Sequence, residues 1–185
     1  FIKCTSLTQI TIPPNVRILQ EYSFCECSSL TDIILPSSLK SIGDNAFKKC
    51  SLIEKIIIPP SVTHIGVEAF EECTSLTQLD IPSSVTAIGG AAFFGCSSLK
   101  QITLPSSLET IEENTFSGCS SLAYISLPSS LKLIKENAFK GCSSLGSLSI
   151  PSSVTSIGKN AFYECYLLTN VLIPPSVESI GEGAF

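Results

Sequence analysis

Apolar residues recur along this chain on two scales. Within a stretch such as Leu99-Lys100-Gln101-Ile102-Thr103-Leu104, Ile102 and Leu104 share one side. That alternation predicts a short strand with one buried face. On the longer scale the whole arrangement returns every 23 residues. Phe stands at 1, 24, 47, 70, 93, 116, 139, 162 and 185. Cys follows three residues after each of the first eight, at 4, 27, 50, 73, 96, 119, 142 and 165. Pro follows twelve after, at 13, 36, 59, 82, 105, 128, 151 and 174. No insertion or deletion disturbs the register. A fixed period of this length marks a solenoid, in which each repeat is one coil stacked on the next.

The coil from Phe93 to Phe116 carries the local chemistry. Pro105 ends its strand because it has no N–H to extend a ladder. Ser106 and Ser107 can bond the turning backbone. Leu108 and Ile111 are placed inward from a second extended stretch. In five coils a Gly follows that Ile (43, 66, 89, 158 and 181), where a turn with positive φ would suit it. The Asn-Thr-Phe segment before Cys119 is expected to form a 3₁₀ or tight turn. One coil buries too little apolar surface to fold alone, so stability must come mostly from its neighbours. The predicted fold is therefore a right-handed curved rod of eight coils, roughly 40 Å long at strand spacing. It carries a parallel β-sheet on its concave face, with short extended segments and tight turns elsewhere. A single domain, 1–185, holds repeats starting at Phe1, Phe24, Phe47, Phe70, Phe93, Phe116, Phe139 and Phe162. Neither end shows a capping coil, so the chain is read as a piece of a longer protein whose open ends can associate end to end.

Charge narrows the partners. Eleven Lys and Arg are scattered among sixteen Asp and Glu, giving a net charge of −5. No basic stripe is present to displace counterions from a phosphate backbone, so nucleic acid is not expected. No apolar run approaches a membrane span, and membrane insertion by this segment is not expected either.

The cysteines carry one question. Their spacing, one per coil, is too wide for a metal cluster. Stacked Cα atoms would fall within disulfide range, but the side chains point the same way. The favoured reading is a ladder of buried thiols that reach turn carbonyls of the neighbouring coil. Inter-coil disulfides are the alternative. Cys25 is additional and is expected at the surface, since the position after Phe is otherwise Ile, Lys, Glu, Phe, Ser, Lys and Tyr. Catalytic chemistry is missing. His64 is the only histidine, and the serines are explained by repeat position. No phosphate loop, zinc helix motif or calcium loop occurs. No enzyme activity and no cofactor are expected. Glu21, Asp44, Glu113, Glu136 and Glu182 share one position and read as a solvated edge. The alternation Lys3, Glu26, Lys49, Glu72 would allow weak cross-coil ion pairs.

What remains is a face. Residues eight and ten after each Phe should point away from the core: Asp32/Ile34, Lys55/Ile57, Gln78/Asp80, Gln101/Thr103 and Tyr124 are the candidates for protein binding, with Gln9/Thr11, Ser126, Ser147/Ser149 and Asn170/Leu172 in the same rows. They vary while the frame does not, which is how solenoids build recognition surfaces. Ile34 and Ile57 form an exposed apolar pair, and Tyr124 is of a type enriched at hot spots. Tyr166-Leu167, replacing Ser/Thr-Ser, adds apolar surface at a turn.

The repeat Phe-x-x-Cys-Ser-Ser-Leu-x-x-Ile-x-Leu-Pro-Ser-Ser-Leu-x-x-Ile-Gly-x-x-Ala-Phe resembles the BspA-like leucine-rich repeats over the whole chain. Proteins of that family occur on the surfaces of anaerobic bacteria and mucosal protist parasites. Several are implicated in adhesion to host cells and matrix proteins, and they share no catalytic motif. The resemblance implies a leucine-rich-repeat solenoid, a host-surface or matrix protein as partner, and a cell-surface or secreted parent. A cytoplasmic scaffold recruiting a protein partner and a passive structural stalk are the alternatives.

Overall fold

The computed structural model describes residues 1–185 and contains no helix of any kind. The first coil carries β1 (Gln9–Thr11) and β2 (Ile18–Leu19), and the second β3 (Asp32–Ile34) and β4 (Ser41–Ile42). The third carries only β5 (His64–Ile65). The fourth has β6 (Gln78–Asp80) and β7 (Ala87–Ile88), the fifth β8 (Gln101–Thr103) and β9 (Thr110–Ile111). The sixth has β10 (Tyr124–Ile125) and β11 (Leu133–Ile134), and the seventh β12 (Ser147–Ser149) and β13 (Ser156–Ile157). The eighth ends the series with β14 (Asn170–Leu172) and β15 (Ser179–Ile180).

Every pairing is parallel and joins residues one repeat apart, such as Gln9 with Asp32 and Leu133 with Ser156. Two rows result. The first runs β1-β3, β6-β8-β10 and β12-β14, with Lys55 bridging singly to Gln78 in the third coil. The second runs β2-β4-β5-β7 and β9-β11-β13-β15. The predicted strand around Ile102 and the second stretch at Ile111 both form. Of the 3₁₀ or tight turn expected before Cys119, it is the tight turn that forms: the backbone makes isolated turns, such as Cys119 N–H to Phe116 O at 3.1 Å.

The core is a set of columns. The nine Phe of the repeat, Phe94 not among them, stack in one file, centroids 5.2–5.6 Å apart and planes within 17°. This spacing allows the offset arrangement aromatic pairs prefer. Leu and Ile fill parallel columns beside it. The thiol ladder forms as expected: each Cys from Cys27 to Cys165 donates to the Phe carbonyl of the preceding coil, at 2.9–3.2 Å. None is in a disulfide. Burial pushes Cys50 and Cys96 up to about 12 and Cys165 to about 11, and holds Cys73, Cys119 and Cys142 well above the ordinary thiol. A third file comes from the Ser that stands two residues after the repeat Pro in the second to eighth coils. Ser38, Ser61, Ser84, Ser107, Ser130, Ser153 and Ser176 donate at 2.6–3.1 Å to a carbonyl of the coil before, not to their own turn.

The glycines after Ile have a different purpose from the one their turn position suggested. Gly43, Gly66, Gly89, Gly158 and Gly181 do not have positive φ. They lie against the backbone of the preceding coil: a Cβ on Gly66 would sit 2.5 Å from the Asp44 nitrogen and 2.6 Å from the Gly43 carbonyl carbon. Positive φ (52° to 75°) falls instead two residues before and two after each Phe from Phe24 to Phe162, as at Asn45, Lys49, Asn114 and Gly118. Asn and Gly tolerate that region, and the tight register forces Lys and Glu into it as well. The second row breaks once, between β7 and β9, in the coil where Glu112 replaces the glycine. Gly66→Ala is expected to cost about 1–3 kcal/mol, because the fixed Asp44 nitrogen and Gly43 carbonyl carbon oppose the new methyl together with the movable Asp44 carboxylate. Urea denaturation checks it, and an unchanged midpoint would contradict the close-approach argument.

Two surface expectations are corrected. Cys25 is buried, 6% exposed. Its short side chain lies at a position where neighbouring coils carry the longer Ile2 and Lys48, and Ser117 at the same position is buried too. Of the alternating charges, Lys3 pairs with Glu26 at 3.8 Å, but Lys49 and Glu72 do not pair. The Glu72 side chain leans over Gly95 of the next coil instead. The stronger ion pairs lie elsewhere, at Lys48 with Glu68 (2.6 Å) and Glu71 (2.9 Å), Lys132 with Glu109, Lys135 with Glu112 and Lys159 with Glu182. Burial works against the Lys48 ammonium, yet its two carboxylates outweigh it and hold its pKa above the usual lysine value.

Candidate recognition face

The strand period sends residues eight and ten after Phe outward wherever residues nine and eleven are buried in the core. Ile33 and Leu79 are buried, and Asp32, Ile34 and Asp80 beside them are exposed. Lys55, Ile57, Gln101, Thr103 and Tyr124 are likewise exposed, whereas Gln78 is half-buried. The largest apolar exposures among the candidates are Ile57 at 73%, Tyr124 at 61% and Ile34 at 56%. All nine candidates therefore lie on one continuous face formed by the first row.

Elsewhere on the rod several opposite charges on adjacent coils meet as ion pairs, Lys132 with Glu109, Lys135 with Glu112 and Lys159 with Glu182, although Lys49 and Glu72 do not. Asp32 and Lys55 occupy equivalent positions on adjacent coils and form none. Asp80 accepts only from the Thr103 hydroxyl, at 3.3 Å. Shallow grooves flank the isoleucine pair. One of about 340 Å³ is lined by Gln9, Ile10, Thr11, Asp32 and Ile34. A smaller one of about 100 Å³ lies between Lys55–Ile58, Gln78 and Asp80. The result is an apolar centre with unpaired charges around it.

A larger groove, about 490 Å³, is on the same face farther along. It opens between β10 and β12, where no backbone hydrogen bond joins residues 123–127 to 146–150. Ser129, Ser147, Ser149 and Pro151 line it with Tyr124. The sequence placed Ser147 and Ser149 in the outward rows but marked only Tyr124 as a candidate there, because a gap in a backbone ladder leaves no mark on the periodicity. Gly146, where other coils have Thr, Glu, Lys or Ala, is the one residue-level signal.

No other cluster competes as a site. His64 is exposed and meets the Thr63 hydroxyl through Nδ1 at 2.8 Å. No three His, Cys, Asp or Glu side chains gather around a common point. The acidic row is exposed at Glu21, Asp44, Glu113, Glu136 and Glu182, with Lys159 standing within it and paired to Glu182 at 3.0 Å. Tyr166 and Leu167 are open at 76% and 58%. No helix is long and apolar enough to cross a membrane.

The repeat itself decides the family. The profile of the BspA type leucine rich repeat region matches residues 1–123 and 64–185, in six copies. This chain belongs to the BspA-type leucine-rich repeat family. A leucine-rich repeat protein from Bacteroides ovatus is 38% identical over 98% of the chain, with a TM-score of 0.94. The chain spans 47% of that protein, so about half its length. The Treponema pallidum leucine rich repeat protein is 30% identical over 92% of the chain and 69% of its own, with a TM-score of 0.72. A leucine rich cell surface protein from Faecalibacterium prausnitzii is 28% identical over 91% of the chain and 60% of its own, with a TM-score of 0.51. Among curated proteins no relative matches. The BspA-type solenoid is thus a protein-interaction scaffold, of the kind that presents variable residues on an invariant frame.

Proposed function

We propose that this BspA-type chain recognises a protein ligand through the first-row face of coils two to four, and that its parent is a surface adhesin. The observation that carries the reading is Ile34 and Ile57, open on adjacent coils and surrounded by the unpaired charges of Asp32, Lys55 and Asp80. An apolar centre within a polar rim is the arrangement of a binding hot spot. The charges left free from cross-coil pairing are available to a partner and give it register. The ligand of this reading is a host-surface or matrix protein, and the cell-surface description of the Faecalibacterium prausnitzii relative supports the location.

Free thiols do not argue for a cytoplasmic scaffold. The seven laddered thiols have partners, and the five from Cys50 to Cys142 have no exposure, so oxidants and other thiols have no approach to those five. The fold is therefore compatible with an oxidising exterior.

Two measurements test the reading. Antibody labelling of intact source cells, with permeabilised cells as control, is expected to stain the intact ones; staining only after permeabilisation would move the protein inside. For the face, immobilised wild type and Ile34→Asp/Ile57→Asp are compared for capture of matrix proteins such as fibronectin, fibrinogen, laminin and collagen. The double variant is expected to bind at least about tenfold more weakly, since charge replaces the apolar anchor. Equal binding would place the contact elsewhere, and no capture by either would favour a passive stalk. Both positions are exposed, so the fold should be unaffected, which circular dichroism verifies.

A further inference from the structure

We propose that the groove between the sixth and seventh coils is a second site, one that binds a neutral saccharide. The face changes character along the rod. Coils two to four present Asp32, Lys55 and Asp80, whereas the same two rows from Gln101 to Leu172 carry no charge at all. The groove sits within this uncharged half, and its lining contains no Asp, Glu, Lys, Arg or His. Its volume of about 490 Å³ falls in the range of small-ligand pockets.

Three features fit a sugar. Tyr124, 61% exposed, offers a ring face to the C–H side of a pyranose, and its hydroxyl remains free to bond. Ser126, Ser129, Ser147 and Ser149 present hydroxyls that make no hydrogen bond within the protein, unlike the serines of the laddered file. The interrupted ladder adds backbone donors and acceptors on both walls. Groups of both kinds need a ligand rich in hydroxyls, which donate and accept at once, or they would lose hydrogen bonds as water leaves. An extended peptide could also meet unpaired strand groups, but serine walls offer no pockets for its alternate side chains. The observations favour the saccharide.

The test is a titration of the isotope-labelled chain with malto-, cello-, laminari-, manno- and chito-oligosaccharides, followed by amide NMR shifts. At least one series is expected to give saturable shifts at Gly146, Ser147 and Ser149. Tyr124→Ala should weaken that binding at least about tenfold, while Tyr124→Phe, keeping the ring, stays within about threefold. Ile34→Asp/Ile57→Asp should leave it unchanged, so failure here and failure of the protein-binding face are separable. The proposal is overturned if no series gives saturable shifts, if Tyr124→Ala binds as tightly as wild type, or if an uncharged peptide displaces the sugar from these amides.

Discussion

Between about pH 8.5 and pH 11 the folded chain should lose stability steeply, because unfolding releases its thiols to ionise. The buried thiols have folded pKa values above the unfolded one, with Cys50 and Cys96 pushed up to about 12. Below the unfolded thiol pKa both states are protonated and the ladder's contribution is intact. Above it the unfolded chain sheds protons that the folded chain keeps. Stability then falls as pH rises, and the loss ends only as pH passes the folded values. Each fully buried thiol contributes a slope of up to about 1.4 kcal/mol per pH unit in that window. Several act together, against a total stability of only about 5–15 kcal/mol. Lys48, which lies above the usual lysine value through Glu68 and Glu71, adds to the loss at the upper end. Urea midpoints at successive pH values, with reductant present, measure the slope. A Cys73→Ala/Cys96→Ala/Cys119→Ala variant should start less stable and decline less with pH. A midpoint flat across the window in the wild type would mean the thiols are not held as the ladder requires.

Phe93→Ala should cost about 3–5 kcal/mol, the largest loss expected from any single side chain here. Phe93 has no exposure and stacks on Phe70 at 5.6 Å and on Phe116 at 5.5 Å, so its removal weakens two coil interfaces. In a solenoid, neighbour terms carry the stability and cooperativity. The lesion also falls beside the one break in the second row, between β7 and β9. The denaturation curve should therefore shift and broaden, with the two halves of the rod melting apart. A loss below about 1 kcal/mol would mean that the Phe file is not the principal carrier of stacking energy.

The candidate face was legible in part. Strand alternation put Asp32, Ile34, Lys55, Ile57, Asp80, Gln101, Thr103 and Tyr124 outside, and they are outside. Gln78 is half-buried and lines the smaller groove beside Lys55, and the alternation alone does not set that degree of exposure. Cys25 was misplaced for a related reason: exposure at a repeated position depends on the side-chain lengths in the coils above and below. The purpose of Gly43, Gly66 and Gly89 was also hidden, since one coil's sequence does not show how near the backbone of another lies.

The residues alone determined the coil. A fixed period, one buried face per strand, a proline stop and an inward Cys specify a solenoid, because each can be satisfied only by an identical neighbour one repeat away. They also determined that the thiols would point alike and not toward one another. What only the tertiary structure decided is where the strand ladders break while the Phe file and the thiol ladder run on. The gap between β10 and β12, the gap between β7 and β9, and the charges left unpaired at Asp32 and Lys55 depend on separations between whole coils. Those separations are summed from every column of contacts at once, and no single position in the sequence carries that sum.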